Sequence, residues 1–205
     1  YEIPKRDWSS DMCSSDLIFE ADTTTQIGEW KHNRTTIPEQ VKLLAEICNY
    51  IHSITGNAEE IYYSIENNTI GEAALISIEQ YGEENIKGYF LSDNTVISSG
   101  GRRFRRGFNT TNRSKVAACA KLKTLVETDK MKINSRPLIS EFKTFVAKGT
   151  SYAAKEGETD DLVMATILIV RMLQVLQDYH PDLNRQITDH SENFIEPLPF
   201  ISVLT

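Results

Sequence analysis

The run from Asp161 to Tyr179 limits most strongly what this chain can fold into. Between Asp161 and Asp178 it carries polar residues only at Thr166, Arg171, Gln174 and Gln177. A helix that is apolar almost all round has no face to offer water, so other elements must enclose it. Leu162 to Leu176 is too short to span a bilayer and contains Arg171 and Gln174, which excludes a membrane span. Directly ahead of the helix stands Glu156-Gly157-Glu158-Thr159-Asp160-Asp161-Leu162, a polar turn that ends in two aspartates. Aspartate is favoured at helix starts because its carboxylate accepts from open N–H groups and complements the dipole. The same pair could also be one wall of a metal site, provided the fold brings further carboxylates to it.

The elements that could enclose such a helix are legible upstream. Leu17-Ile18-Phe19-Glu20 and Gln26-Ile27-Gly28-Glu29-Trp30 read as strands joined by the turn Asp22-Thr23-Thr24-Thr25. Pro38 at a first helical position, with Val41, Leu44, Ala45, Cys48 and Ile51 at helical spacing, predicts a helix to about Ile54. Ile61-Tyr62-Tyr63-Ser64-Ile65 reads as a strand closed by Glu66-Asn67-Asn68. A helix from Gly71 to Tyr81 and a strand Gly88-Tyr89-Phe90-Leu91 follow. After a helix from about Thr111, Lys132-Ile133 reads as a short strand. Pro137 opens another helix, with Leu138, Ile139, Phe142, Phe145 and Val146 as its core stripe. The alternation of strands and helices predicts an α/β fold with helices on the faces of a sheet.

At 205 residues, 40% apolar and 25% charged, the chain suits one globular domain that needs no covalent staples. Cys13, Cys48 and Cys119 have neither disulfide nor zinc spacing, and Cys48 and Cys119 sit among apolar residues. A reducing, cytoplasmic compartment is expected. Residues 1–17 stand apart. Asp7-Trp8-Ser9-Ser10-Asp11-Met12-Cys13-Ser14-Ser15-Asp16-Leu17 has no periodicity and resembles the conceptual translation of a sequencing adapter. It is treated as a non-native scar, ahead of a domain over 18–180 and a tail over 181–205 that carries Pro181, Pro197 and Pro199.

Charge is distributed unevenly. Between Asp93 and Glu127 there is no acidic residue, while Arg102, Arg103, Arg105, Arg106, Arg113, Lys115, Lys121 and Lys123 all fall there. In a chain of net charge −7 this concentration suits a polyanion with phosphates to neutralise. Composition alone leaves a solvated face open as well. Phe104 and Phe108 could stack on bases or dock the loop back onto the domain. Arg113 and Lys115, in the first turn of a helix, hold a more definite geometry than the loop arginines.

Glu66 ends a strand whose inner residues are apolar, where open α/β sheets place ligand sites. With Asp160 and Asp161 it supplies hard oxygen donors of the kind magnesium requires. Two such ions can activate a water and stabilise the leaving oxygen of a phosphodiester. Carboxylates beside a basic loop are the layout of a nuclease.

Three blocks then carry a resemblance to the C-terminal nuclease domain of the large terminase subunits of tailed bacteriophages, which are RNase H-like. They are Ile65-Glu66-Asn67-Asn68-Thr69-Ile70-Gly71-Glu72-Ala73, Thr111-Asn112-Arg113-Ser114-Lys115, and Gly157-Glu158-Thr159-Asp160-Asp161-Leu162-Val163-Met164-Ala165. Phe142 to Phe145 and Gly149 to Tyr152 also fit, so the likeness spans Ile18 to Tyr179 in order and spacing. The resemblance implies a mixed central sheet with helices on both faces and its first strand missing. It implies two magnesium or manganese ions, Glu66 as second catalytic acid, Asp160 as main metal ligand and Asp161 beside it. The basic residues would hold double-stranded DNA.

The family's further partners are an N-terminal ATPase domain, a portal and a small terminase subunit. No Gly-x-x-x-x-Gly-Lys-Ser/Thr loop occurs in this chain. The first catalytic aspartate is expected on a strand shortly before Ile18, leaving the chain one acid short of activity. Asp7, Asp11 and Asp16 are not read as substitutes because no strand pattern surrounds them, and Asp22 belongs to a turn. The competing readings are another RNase H-like nuclease of the junction-resolvase type and a non-catalytic DNA-binding packaging module.

Overall fold

The computed structural model describes residues 14–32, 34–57, 60–93 and 106–179. Strand β1 (Ser14–Glu20) pairs antiparallel with β2 (Thr25–His32), with a bulge between Ile18 and Phe19. Helix α1 (Ile37–Thr55) starts behind Thr36 with Pro38 in its first turn and ends at Gly56 in the left-handed region, φ 71°. Then come β3 (Tyr62–Tyr63), α2 (Thr69–Tyr81), a 3-10 turn Glu83–Asn85 and β4 (Tyr89–Phe90). Helix α3 (Asn112–Glu127), α4 (Arg136–Thr144), the hairpin β5 (Phe145–Lys148) and β6 (Ser151–Ala154), and α5 (Asp161–Tyr179) complete the order.

Helix α5 is enclosed as its sequence requires. Leu162, Val163, Ile167, Val170, Leu173 and Leu176 are buried against α3 and α4, with Leu17 and Phe19 of β1 packed on the same cluster. Another stripe, Met172 and Val175, closes on Phe108. Each such side chain contributes roughly 1.5–3 kcal/mol by leaving water. Three polar residues find separate solutions: Thr166 donates to the Leu162 carbonyl at 2.8 Å, Arg171 pairs with Asp93 and Gln174 is exposed, while Gln177 Nε2 is buried without a hydrogen-bond partner among the described residues. Among the described residues no helix is long and apolar enough to cross a membrane.

The middle of the molecule has helices on two sides of a parallel pair. β3 and β4 pair through Tyr62–Tyr89 and Tyr63–Phe90. Alternation sends Tyr63 into a cluster with Val41, Ala45 and Cys48 of α1 and Ile78 of α2, while Tyr62 faces the clusters built on α5. The sheet is fragmentary. Parallel and antiparallel pairing both occur, but as three two-stranded ladders plus single parallel bridges at Thr25–Lys132 and Glu66–Phe108.

Four sequence expectations change. The strand expected from Leu17 begins at Ser14, so Asp16 does lie on a strand. The ladder with β2 pairs backbone groups whatever the side-chain pattern. Asp16 is exposed, and alternation points it away from the core that its neighbour Leu17 joins. The short strand at Lys132-Ile133 is a single bridge at Lys132, held because Gln26 and Thr24 exchange backbone bonds with Lys132 at 2.9 and 3.1 Å. Phe145 and Val146 do not continue the α4 stripe. They open β5, which turns at Gly149 (φ 62°) and pairs with β6. Ile139 is 40% exposed, not core. The tail 181–205 lies outside the described residues, as does 1–13.

Candidate metal centre and its basic rim

The turn before α5 is held from several sides. The Lys155 N–H donates to the Thr144 carbonyl at 3.0 Å, and Gly157 takes φ 82°, a conformation that glycine adopts without strain. The Asp160 carbonyl accepts from Met164 N–H at 2.8 Å, which makes Asp160 the residue from which the helix departs. Its side chain does not do the capping. Leu162 and Val163 donate their N–H groups to Glu141 Oε2, at 2.8 and 3.2 Å, from the neighbouring helix α4.

Glu141 is 6% exposed and fully engaged. Its Oε1 accepts from Lys31 Nζ at 2.6 Å and from Thr159 Oγ1 at 3.0 Å. Sequence reasoning missed both Glu141 and Lys31, and gave the cap to the aspartates. The available signal was an acid on the apolar stripe of a helix, between Leu138 and Phe142.

With capping left to Glu141, the two aspartates lie near different cations. Asp160 Oδ2 accepts from the Ala154 N–H at 3.3 Å and stands 3.9 Å from Lys115 Nζ. Asp161 Oδ2 stands 4.0 Å from Lys31 Nζ. Both carboxylates keep contact with solvent, at 28% and 33% side-chain exposure. The basic block at residues 111–115 and the acidic block at 157–165 therefore meet, as the packing of α3 on β6 and α5 requires.

The start of α3 is built firmly. Thr111 and Ser114 cap it reciprocally, and Asn112 Nδ2 donates to the Thr150 carbonyl and Oγ1 at 3.3 and 3.1 Å. Lys115 Nζ also lies 5.5 Å from the centroid of the Phe145 ring. Arg113 is exposed, with no ion-pair partner among the described residues.

Glu66 is fixed through its backbone. Asn67 N–H donates to the Phe108 carbonyl at 2.8 Å and Phe108 N–H to the Ile65 carbonyl at 3.0 Å. Two glycines press on the two peptides that flank Glu66. A Cβ on Gly71 would stand 1.8 Å from the Glu66 carbonyl oxygen, and one on Gly107 2.5 Å from that of Ile65. The Glu66 side chain has Asn68 Nδ2 at 3.5 Å.

Phe108, 1% exposed, docks the loop end onto α5, which decides between the two roles open to it. Arg171 lies 5.0 Å over its ring, bonds Asp93 at 2.5 Å and reaches Thr110 Oγ1 at 3.4 Å. The helix that begins with the aspartates thus also grips the segment carrying Glu66.

Among the basic residues, Arg106 has a structural partner. It pairs with Glu83 at 2.6 Å, approaches Glu79 at 4.0 Å and lies 4.7 Å over Phe90. Arg102, Arg103, Arg105 and Phe104 lie outside the described residues.

No three His, Cys, Asp or Glu side chains stand close enough among the described residues to hold a metal ion. Magnesium is commonly bound through one or two carboxylates, with waters and substrate phosphates completing its shell. Asp160 and Asp161, adjacent and each about a third exposed, fit that donor chemistry.

The sequence family described as the terminase RNase H-like domain matches residues 5–173, a range that begins inside the segment set aside as 1–17. Two similar solved structures are crystal structures of the large terminase nuclease from thermophilic phage G20c, one with bound cobalt and one with bound magnesium. Each is 16% identical, covers 77% of this chain and 73% of its own, and superposes with a TM-score of 0.55. The fold is that of an RNase H-like α/β domain. The chain belongs to the terminase RNase H-like domain family.

Proposed function

We propose that this domain is a metal-dependent endonuclease that cuts concatemeric double-stranded DNA during phage DNA packaging. The observation that carries the reading is that Glu141 and not Asp160 caps α5, which leaves the Asp160 carboxylate beside a lysine supplied by the basic block and next to Asp161. The magnesium and cobalt bound by the G20c nuclease support a divalent ion here. Glu66, Asp160 and Asp161 would be the acids of a site for two magnesium or manganese ions, within one mixed sheet flanked by helices; they form no three-carboxylate cluster among the described residues, so waters and DNA phosphates would complete each ion's shell. When bound, such ions activate water for in-line attack at phosphorus and stabilise the leaving oxygen.

The chain's own residues supply position and charge. Glu141 and Lys31 lock the start of α5, so the carboxylates of Asp160 and Asp161 enter the site with little freedom left to lose. Lys115 and Arg113 neutralise backbone phosphates, and Arg102, Arg103 and Arg105 add positive charge to the same stretch of sequence. Arg106, committed to Glu83, anchors the loop instead. Contacts of this kind read the backbone and not base edges, so cutting shows little sequence preference. An ATPase domain, a portal and a small terminase subunit complete the proposed machine.

Plasmid nicking with magnesium or manganese tests the reading, on a version in which a further aspartate-bearing strand replaces residues 1–13, ahead of β1 and its Asp16. Glu66→Ala and Asp160→Ala should each abolish nicking while the fold persists by circular dichroism. Nicking that survives in Asp160→Ala would show the site to be misassigned. Salt-steep DNA binding without any metal-dependent cutting would favour the packaging-module reading, and a preference for branched DNA the resolvase reading.

A further inference from the structure

Lys115 sits in a place that the proposed chemistry must vacate. Its ammonium is 3.9 Å from Asp160 Oδ2, over the Phe145 ring, which itself stacks on Tyr152 with centroids 6.0 Å apart. The side chain is 17% exposed, and the capped, Asn112-anchored start of α3 fixes where it emerges. At 3.9 Å the pair is an ion contact and not a direct hydrogen bond, and Asp160 is 28% exposed. Such a pair is worth little by itself and exchanges easily. A divalent ion on Asp160 would face a like charge at short range, whereas a DNA phosphate would attract the same ammonium outward.

We infer that Lys115 is an exchangeable counter-ion of Asp160, shared between the carboxylate and a DNA phosphate, and that it couples metal binding to DNA binding. This rests on the reading of Asp160 as a metal ligand and of DNA as the substrate. Without DNA, Lys115 partly neutralises Asp160 and opposes the ion. A phosphate of the duplex draws the ammonium off the carboxylate, and the affinity for the ion rises. Because coupling is reciprocal, the bound ion releases Lys115 and tightens DNA binding by the same factor. The site is loaded with metal chiefly when its substrate is present.

The test is a Mn2+ titration of the full 205-residue chain, with free Mn2+ followed by electron paramagnetic resonance, with and without a short blunt duplex. Asp160→Asn corrects for ions condensed on the DNA. Lys115→Met keeps the aliphatic stem against Phe145, and Lys115→Gln gives a second neutral side chain should the first perturb folding. Either neutral variant should bind Mn2+ about three- to tenfold more tightly than the unsubstituted chain without DNA, as expected for removing one unit charge beside a divalent ion in partly solvated surroundings. Each should also lose most of the gain that DNA produces, whereas Lys115→Arg should retain it. Unchanged or weaker Mn2+ binding in the neutral variants, with the DNA-induced gain intact, overturns the coupling and leaves the metal site standing. Equal Mn2+ binding by the unsubstituted chain and Asp160→Asn overturns the metal reading itself, and the coupling with it.

Discussion

Replacing Glu141 should disturb this domain more than any exposed acid would, and the size of the effect can be built from its contacts. Alanine leaves the Leu162 and Val163 N–H groups at the buried start of α5 without their acceptor, a lost cap of about 1–2 kcal/mol. It also removes the 2.6 Å charge-assisted bond from Lys31. That lysine is 33% exposed, which holds the term to about 1 kcal/mol. The Thr159 hydroxyl loses a 3.0 Å partner, for roughly 0.5–1 kcal/mol more. The sum is about 3 kcal/mol, and for a chain of this size each kcal/mol moves Tm by roughly 2–4 °C.

Glu141→Ala should therefore lower Tm by about 6–12 °C in calorimetry. Urea midpoints should fall with an unchanged m-value, because the unfolded chain exposes the same surface. Glu141→Gln keeps an oxygen for the helix N–H groups but turns an NH2 toward Lys31 and Thr159. It should fall between the two, about 1–2 kcal/mol below the unsubstituted chain. A drop under about 2 °C for the alanine variant, or glutamine at least as damaging as alanine, would refute the account of Glu141 as the cap of α5.

Other consequences are equally open to measurement. Gly71→Ala, which in an ordinary helix interior stabilises by up to about 1 kcal/mol, should here destabilise by about 1–3 kcal/mol in urea melts, since its Cβ meets the Glu66 carbonyl at 1.8 Å. A neutral or stabilising result would mean that the Glu66 peptide is not held as described. Arg171→Met should cost about 2 kcal/mol, reduced from the full cost of breaking a buried pair because Asp93 is 26% exposed. Adding Asp93→Asn to that variant should cost little more, and full additivity would deny the pairing. Burial pushes the Cys48 thiol up to about 11, so it stays protonated at pH 8. Peptide-resolved mass spectrometry after iodoacetamide treatment should find Cys48 unmodified in the folded chain and modified in urea, and rapid native labelling would contradict its burial.

How much of this was legible in the sequence depended on how local each signal is. Helices α1 and α5 announce themselves through Pro38 and unbroken apolar spacing, which lie within the segments concerned. The aspartates were found for the same reason, because helix starts concentrate acids. What they do there was not legible. The residue that takes the cap, Glu141, lies on another helix; its place on the apolar stripe hints that its carboxylate turns inward, but not that it reaches α5. Phe145 and Val146 misled because they prolong the Leu138–Phe142 spacing. Pairing with Tyr152 to Ala154 makes them a strand, and pairing is not a property of either segment alone. Arg106 looked like its neighbours until Glu83, from before β4, claimed it. Charge clusters can be read from composition, but the allotment of each charge to a partner cannot.

The central claim is that Asp160 is a ligand of the divalent ion that this nuclease domain uses. Crystals of the domain soaked in manganese would test it by anomalous scattering. The account predicts a peak about 2.1 Å from an Asp160 carboxylate oxygen, with Lys115 moved away from the 3.9 Å contact. A manganese peak bound elsewhere, with the Asp160–Lys115 pair left in place, would contradict it.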